Sequence, residues 1–284
     1  MSDTPIEHVS DTALWVAAYR AEENERPDAL FRDPLAARLV GDRGRAIAKR
    51  MKQGPRVAWV VVLRTVMIDD FVHTALKEGC DTVINLGAGL DTRPYRMDLP
   101  SNLRWIEVDY PHMIDLKNDK LRDEKPRCQL ERVAMDLADR KLRKEFLAGI
   151  AATSKNTLVI TEGVTPYLSN DEVASLADDL KNFPIFKLWV VDYVSAAWAT
   201  YARRGRFKRD MRNAPFKFSP MDWFAFFKTH GWKVKELRYL FPEAERLNRR
   251  FEAPLWMKIL FLFTTKKKRE EIARMSGYAL LERA

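Results

Sequence analysis

Glycines and acids recur at four places in the sequence, each directly after a short run of apolar residues. The first place is a turn that carries Gly87, Gly89 and Asp91. Glycine has no Cβ atom, so it lets the backbone turn tightly and approach a ligand closely. The other three places carry acids, whose carboxylates accept hydrogen bonds from hydroxyl and amine groups. These acids are Glu107 with Asp109, then Asp136 followed by Leu137, then Glu162.

The spacing of these groups favours a nucleotide ligand. Glu107 and Asp109 lie 20 and 22 residues beyond Gly87, close to the distance at which nucleotide-binding domains place a carboxylate for ribose hydroxyls. The Asp136 carboxylate and the backbone N–H of Leu137 together match an adenine amine and ring nitrogen. A lone glycine pair or acid is common in ordinary turns. Four such groups in succession predict a nucleotide crevice.

The acidity of this crevice argues against a pyrophosphate ligand. Thr92 stands where a dinucleotide fingerprint needs its third glycine, and the chain has no Gly-Lys-Ser/Thr phosphate loop. Acids such as Asp91 suit a ligand with a cationic centre, for example a sulfonium cofactor. Arg64 lies in the apolar stripe of a predicted helix, and an inward guanidinium must be paired. It is therefore a candidate to bind the carboxylate of the cofactor; an internal salt bridge to Asp69 or Asp91 is the alternative.

These side chains come together only if the strands before them end at one edge of a sheet. Strands are predicted at Thr82–Leu86, Arg104–Val108, Gln129–Ala134, Thr157–Thr161 and Lys187–Val191. Helices are predicted between most of them, at Pro111–Arg122, Arg140–Ala151 and Asn170–Asn182. This alternation predicts an α/β fold with a doubly wound, mainly parallel sheet. Ligands of such sheets bind beyond the carboxyl ends of the strands.

Helices and two further strands flank this alternating region. An N-terminal helix begins at Ser10 or Asp11, a second opens at Asp33-Pro34, and the strongest helical pattern runs from Arg56 to about Glu78. The remaining predicted elements are strands at Trp232–Tyr239 and Tyr278–Arg283, with helices at Pro220–His230 and about Glu243–Phe263. One domain with an N-terminal helical cap is the simplest description.

The composition is that of a globular protein. Of 284 residues, 46% are hydrophobic and 31% charged. The first residues lack a secretory pattern, and no segment approaches the roughly 18 apolar residues of a membrane span. Cys80 and Cys128 fit no metal or redox spacing, so reduced thiols, a cytoplasmic location and no metal site are expected.

Two basic stretches account for much of the net charge of +9. Seven basic residues lie between Arg203 and Lys217, and a second run covers Lys266 to Arg269 after the apolar stretch Leu255–Phe263. Such clusters bind nucleic acid, anionic lipid or acidic substrates, but many are solvated surface. Aromatic residues in Trp198–Phe218 leave RNA as an alternative partner. The charge alone does not identify a binding partner.

Three segments resemble the leucine carboxyl methyltransferase family, which also holds bacterial O-methyltransferases of polyketide and other secondary metabolism. They are Val83–Arg93, Ile106–Pro111 with Lys117, and Ile160–Leu168. The similarity to the bacterial branch extends to Thr12–Glu22, Phe31–Pro34 and Gly277–Leu281. It covers nearly the whole chain and weakens after Asp192.

The resemblance implies a Rossmann-like class I methyltransferase fold. Its sheet would have seven strands with the last one reversed, an N-terminal helical cap and an insertion after the fifth strand, in the region Ala196–Ser219. A single domain, residues 1–284, would divide into a cap with its leading helix (1–80), a cofactor-binding core (81–192), a substrate-side insertion and helix (193–230) and C-terminal strands with a helix (231–284). The cofactor would be S-adenosyl-L-methionine, bound by Arg64, Gly87, Asp109, Asp136, Leu137 and Glu162, with Glu107 as a second candidate for the ribose. Gly89 and Asp91 of the glycine turn complete the predicted cofactor-binding residues.

The resemblance also implies methyl transfer to an oxygen atom. The expected acceptor is a carboxylate or a hydroxyl or phenol of a small molecule; a carboxylate needs no base, whereas a phenol benefits from one. Tyr167, Tyr193 and Arg20 are candidates to position it. The alternatives are methylation of RNA or of a protein carboxyl terminus, and a non-catalytic protein that binds S-adenosylmethionine. A nicotinamide oxidoreductase is disfavoured by the missing third glycine.

Overall fold

Seven strands form one mixed sheet in the part of the chain that the structure describes. A computed structural model describes residues 6, 8–51, 54–202, 209, 211–251 and 263–284. The strands are β1 (Thr82–Leu86), β2 (Arg104–Asp109), β3 (Gln129–Ala134), β4 (Thr157–Ile160), β5 (Phe186–Val194), β6 (Trp232–Tyr239) and β7 (Ser276–Arg283). They lie in the order β3-β2-β1-β4-β5-β7-β6, and β7 runs antiparallel to both its neighbours. The predicted α/β sheet with a reversed last strand is confirmed.

Helices connect the parallel strands and cover the sheet. In chain order they are α1 (Asp11–Asn24), α2 (Pro34–Arg50), α3 (Gly54–Lys77), α4 (Arg93–Arg96), α5 (Pro111–Leu121), α6 (Arg140–Thr153), α7 (Asn170–Lys181), α8 (Ala196–Ala202), α9 (Trp223–Thr229), α10 (Leu240–Arg246) and α11 (Lys266–Ala273). Helices α1 and α2 pack on each other and form the N-terminal cap. The Asp33 side chain caps α2 by accepting from the backbone N–H of Ala36 at 3.1 Å.

The central strands are buried on both faces because helices pack on each side of the sheet. Every residue of β1 and of β4 is buried, which is the pattern expected for parallel strands in α/β proteins. One core cluster includes Phe71 of α3 and Trp105 of β2. The other includes Trp189 of β5 and Trp232 of β6, whose rings meet edge to face at 5.4 Å between centroids. These two core clusters hold the strands, and therefore the strand ends, in position.

Most predicted elements agree with the structure to within about two residues at each end, and three differ in ways that matter for the site or the chain order. Strand β5 continues to Val194, so Tyr193 lies in the strand and not after it. Helix α9 begins at Trp223, because the Asp222 side chain accepts from the backbone N–H groups of the first turn and so caps it there. The predicted helix at about Glu243–Phe263 is the short α10, and residues 252–262 lie outside the described residues, as do 203–208 and 210 of the first basic stretch. Among the helices that the structure describes, none has the length and apolar character to cross a membrane.

Candidate cofactor and acceptor site

A cavity of about 550 Å³ lies beyond the carboxyl ends of the parallel strands. The predicted residues that line it are Arg20, Arg64, Gly87, Gly89, Asp91, Asp109, Asp136, Leu137, Glu162, Tyr167 and Tyr193. These residues come from five strand ends and from two helices, α1 and α3. The strand-end pattern of the sequence thus corresponds to one continuous site.

The glycine turn after β1 needs backbone conformations that other residues rarely adopt. Gly87 has φ +70° and Gly89 has φ +50°, both in the left-handed region. The backbone N–H of Gly87 donates to the carbonyl of Val108 at 2.8 Å, which joins the turn to β2. A Cβ built on Gly87 would lie 2.4 Å from Cγ2 of Val164. The turn therefore brings bare backbone to the cavity.

We expect Gly87→Ala to destabilise the protein by about 2 kcal/mol, because strain at positive φ adds to the overlap with Val164. Thermal or urea unfolding measures this loss. Gly149→Ala is the matched control, since Gly149 lies exposed in α6 and an added Cβ meets nothing within 4 Å. The control should be neutral or slightly stabilising; an equal loss in both variants would contradict the tight turn.

Asp109 fixes the glycine turn and faces the predicted ribose position. One carboxylate oxygen accepts from the backbone N–H of Gly89 at 2.6 Å, and the other accepts from Tyr110 N–H at 2.7 Å. Burial raises the pKa of Asp109 above its ordinary value. Each oxygen can accept a second hydrogen bond, so the carboxylate can also take ribose hydroxyls from the cavity.

Glu107 is not brought to the cavity, and its predicted contact with the ribose has no support in the geometry. Its side chain is fully buried, and its two oxygens accept from Lys117 Nζ at 2.7 Å and from Arg132 Nε at 2.9 Å. A carboxylate held by two cations is already satisfied. Of the two acids at the end of β2, only Asp109 lines the site.

The predicted adenine end lies at β3. Asp136 is exposed, and one of its oxygens accepts from the backbone N–H of Ala138 at 2.9 Å. Leu137 is half-buried, and its carbonyl accepts from Arg143 at 2.6 Å. That hydrogen bond orients the peptide group between Leu137 and Ala138. The two residues lie at the outer edge of the cavity, as the sheet order requires.

Two arginines share the Glu162 carboxylate at the centre of the site. Arg64 Nε lies 2.8 Å from one oxygen, and Arg93 Nη1 lies 2.7 Å from the other. Burial would raise the pKa of Glu162, but the two guanidinium groups outweigh it and hold the pKa below its ordinary value. Arg93, which the sequence analysis did not single out, also binds Asp69 at 2.7 Å and Asp91 at 2.9 Å. Arg64 thus forms the internal salt bridge that was the alternative to a cofactor contact, with Glu162 as its partner, whereas Asp69 and Asp91 pair with Arg93.

The guanidinium of Arg64 has a donor available to bind the carboxylate group of a cofactor. Its Nε is buried and, despite the short distance to Glu162, has no hydrogen-bond partner of good geometry among the described residues. An unsatisfied buried donor costs about 1–3 kcal/mol, and more when it is charged. Arg93 keeps Glu162 paired if Arg64 turns to another anion. The arrangement fits a cofactor that carries one carboxylate and no phosphate.

Asp192 and Tyr278 also line the cavity, although the sequence analysis did not predict them. They face each other across the pairing of β5 with β7. Asp192 accepts from the backbone N–H of Gly163 at 3.0 Å, and burial raises its pKa to about 6. The same rule that identified the acids after the first four strands identifies Asp192 near the end of the fifth. Tyr278 gives no such signal, because it depends on the reversed strand.

The raised pKa of Asp192 predicts a pH-dependent contribution to stability. A carboxyl whose folded pKa is about 6, above its ordinary 3.8, stabilises the protein at low pH and loses this contribution as the pH rises through about 6. Asp192→Asn should therefore be more stable than the wild type above that pH, by on the order of 2 kcal/mol. Urea unfolding between pH 4 and pH 8 measures the difference, which should shrink towards acid pH. A difference that does not change with pH would contradict the assignment.

The residues predicted to position an acceptor line the cavity but are held in different ways. Tyr167 packs on Phe216 with 5.1 Å between ring centroids, and burial raises its pKa to about 12, so its hydroxyl stays protonated. Tyr193 meets Trp223 edge to face at 5.2 Å. Arg20 is buried, with Nε 2.8 Å from Asp33. Tyr167 and Tyr193 are thus parts of an aromatic wall, whereas Arg20 is fixed by an ion pair.

Related sequences identify the family of this chain. The profile of the leucine carboxyl methyltransferase family matches residues 13–181. A Frankia alni protein with the provisional name S-adenosyl-L-methionine-dependent methyltransferase is 36% identical over 180 residues, which are 59% of this chain and 62% of that protein. A Streptomyces coelicolor protein with the same provisional name is 35% identical over 179 residues, or 58% and 62% of the two chains. The chain therefore spans about three-fifths of the length of these curated relatives. A second Frankia alni relative is 29% identical over 86% of this chain and 90% of its own length.

Solved structures show the same fold at low sequence identity. A Thermobifida fusca protein, provisionally described as a methyltransferase, has a TM-score of 0.59 and 11% identity over 99% of this chain and 96% of its own. A DUF574 family protein from Streptomyces avermitilis has a TM-score of 0.56 and 13% identity over 96% and 97% of the two chains. These likenesses support the fold alone. Because the family profile matches more than half of the sequence, this protein belongs to the leucine carboxyl methyltransferase family.

Proposed function

We propose that this protein is an S-adenosylmethionine-dependent O-methyltransferase that acts on a small molecule. One observation carries the proposal: a single cavity collects the glycine turn, the ribose and adenine acids and the Arg64–Glu162 pair, with an aromatic wall beside them. Family membership and the provisional names of the relatives support the methyltransferase activity and the cofactor. Two kinds of oxygen acceptor are to be tested: a carboxylate, as in the family name, and a hydroxyl or phenol.

Each part of the site has a role in binding the cofactor. Asp109 accepts hydrogen bonds from the ribose hydroxyls, and Asp136 with the Leu137 N–H binds the adenine edge. Arg64 binds the carboxylate of the methionine part, where its rigid fork of donors suits that planar anion. When bound, S-adenosylmethionine supplies a methyl group on a cationic sulfur. Asp109 and Asp192 line the crevice and form no ion pair among the described residues, so their carboxylates stabilise this positive charge.

The size and lining of the cavity support a small acceptor. About 550 Å³ lies within the usual range of small-molecule sites. Its aromatic lining includes Trp15, Trp59, Tyr167, Tyr193 and Phe216. Rings of this kind bury apolar surface and exclude water, so the protein can accelerate transfer by holding two reactants in line.

Binding of S-adenosylhomocysteine tests the cofactor, and a methyl-transfer screen tests the reaction. Isothermal titration should give saturable binding to the wild type and clearly weaker binding to Asp109→Ala. Radiolabelled S-adenosylmethionine should then label a carboxylate, a phenol or a component of cell extract, and Tyr167→Phe or Arg20→Ala should lower the turnover. No binding would refute the cofactor. Binding without transfer would favour a non-catalytic protein, and labelled RNA or protein would replace the small molecule as the acceptor.

The cytoplasmic location and the four-part division of the chain stay predictions.

A further inference from the structure

The groups around the cavity follow the order of the strands across the sheet. The predicted adenine contact lies at β3, the ribose contact at β2, the glycine turn at β1 and Glu162 after β4. The next strand in the sheet is β5, which carries Asp192 near its carboxyl end. Neighbouring strands are about 4.8 Å apart. Asp192 therefore lies one strand beyond the groups assigned to the cofactor, on the side that remains for an acceptor.

The hydrogen bonds of Asp192 hold its carboxylate but leave it capacity to accept a proton. Gly163 N–H at 3.0 Å and Thr165 Oγ1 at 3.4 Å both reach Oδ2. Among the residues that the structure describes, none donates a hydrogen bond to Oδ1. Asp192 is 6% exposed and lines the cavity. One oxygen is thus anchored, and the other has its lone pairs available to an acceptor.

The aromatic lining of the cavity suits a flat apolar acceptor. Tyr193 follows Asp192 in β5, so its ring lies on the other face of the sheet, in a cluster of edge-to-face aromatic rings with Trp223 and Tyr239. Tyr167 and Phe216 form another part of the lining at 5.1 Å between their rings. Aromatic rings prefer edge-to-face and offset contacts with one another, so a lining of this kind can bury the faces of an aromatic acceptor.

We propose that Asp192 is the proton acceptor for the hydroxyl of a phenolic acceptor, so that this site methylates an aromatic hydroxyl in preference to a carboxylate. The inference rests on the proposed O-methyl transfer. A phenol donates its hydrogen bond to the anionic Asp192 carboxylate, whereas a carboxylate acceptor has no proton to donate and is repelled by it. Asp192 thus selects the acceptor as well as activating it.

The proposed step balances as a direct displacement. The phenol O–H bond breaks and its proton moves to the Asp192 carboxylate, while the oxygen lone pair forms a bond to the transferred methyl carbon. The bond between that carbon and sulfur breaks, and its electron pair stays on sulfur. The products are an aryl methyl ether and neutral S-adenosylhomocysteine. Asp192 afterwards releases its proton to water.

Of the titratable groups that face this part of the cavity among the described residues, Asp192 is the one suited to act as a base. Arg64 faces it from α3 and stabilises its anion, Glu162 and Tyr167 face it from the segment after β4, and Tyr278 faces it from β7. Glu162 is occupied by two arginines, and its pKa is lowered. Burial raises the pKa of both tyrosines, so they stay protonated. Burial raises the pKa of Asp192 to about 6, so it is ionised at neutral pH and basic enough to take a proton.

A matched pair of acceptors tests the proposal: a naphthol and the corresponding naphthoic acid. The wild type should methylate the naphthol faster than the naphthoate, and its kcat/KM for the naphthol should fall as the pH drops below about 6. Asp192→Asn should lose about 100-fold or more in kcat for the naphthol, together with that limb of the pH profile. Asp178→Asn, an exposed acid of α7, is the control and should behave as the wild type. A wild type that prefers the naphthoate, or a variant that retains the rate and the pH limb, would overturn the proposal.

Binding measurements separate this inference from the proposed function. S-adenosylhomocysteine should bind Asp192→Asn about as tightly as the wild type; a large loss of affinity would make Asp192 a cofactor ligand instead. para-Nitrophenol, added to the protein saturated with S-adenosylhomocysteine, should bind to the wild type as the neutral phenol and to Asp192→Asn with a lower pKa, seen as more of the yellow phenolate. An identical spectrum in both proteins, or no binding of the phenol, would refute the assignment. Failure of S-adenosylhomocysteine to bind the wild type at all would refute the proposed function itself.

Discussion

Arg64→Met is expected to raise the Kd for S-adenosylhomocysteine about 100-fold or more. The guanidinium of Arg64 lies in the cavity with its Nε lacking a well-formed hydrogen bond among the described residues. A hydrogen bond to a charged group contributes about 1.5–3 kcal/mol, so two of them account for at least two factors of ten in affinity. Methionine keeps much of the apolar stem and removes only the charge and the donors. Isothermal titration gives the affinity directly.

The fold should survive this change, because Glu162 keeps Arg93 at 2.7 Å. Arg64→Lys restores the charge without the planar fork and should recover only part of the affinity. Arg45→Met is the control at an exposed position of α2, where the pair with Asp42 contributes little. If Arg64→Met bound S-adenosylhomocysteine as the wild type does, the contact with Glu162 would be structural and Arg64 would not bind the cofactor.

The strand positions were predictable because apolar runs bounded by turn residues are a local property of the sequence. Strands β1, β3 and β6 have the predicted bounds. The predicted β5 ends at Val191, three residues too early, because the apolar run stops at Asp192, a residue type that is rare in strands. In the structure Asp192 and Tyr193 continue the ladder with β7, an antiparallel partner more than 80 residues later in the chain. Pairing with such a distant segment cannot be read from local composition.

The site was predictable where it follows from topology, since parallel strands end at one edge of a sheet. The position of Arg64 followed from its place in the helical stripe. Its partner did not: Glu162 is nearly 100 residues away, and only the packing of α3 on the sheet brings the two together. Glu107 and Asp109 have equally suitable spacings from the glycine turn. The structure separates them because Lys117 and Arg132 bind the first.

The buried pair of Glu107 and Lys117 carries the largest expected effect on stability. Both side chains are essentially inaccessible to water, at 0% and 1% exposure, and their charged atoms are 2.7 Å apart. Lys117→Met should destabilise the protein by about 3–5 kcal/mol, because it leaves a buried carboxylate oxygen without its cation. Urea unfolding at neutral pH measures the loss.

Two further variants test the buried pair, one as a surface control and one as a double variant. Arg38→Met removes an exposed pair with Glu124 and should change the free energy of unfolding by less than about 1 kcal/mol. The double variant Glu107→Gln with Lys117→Met should lose less stability than the two single variants added together, because the contact between Glu107 and Lys117 is then counted once. Glu107→Gln alone also removes the carboxylate from Arg132 Nε at 2.9 Å. If the single variant cost no more than Arg38→Met, either Arg132 alone would satisfy the carboxylate or water would reach it. In the second case Glu107 would be able to turn towards the cavity, and its exclusion from the ribose site would lose its physical basis.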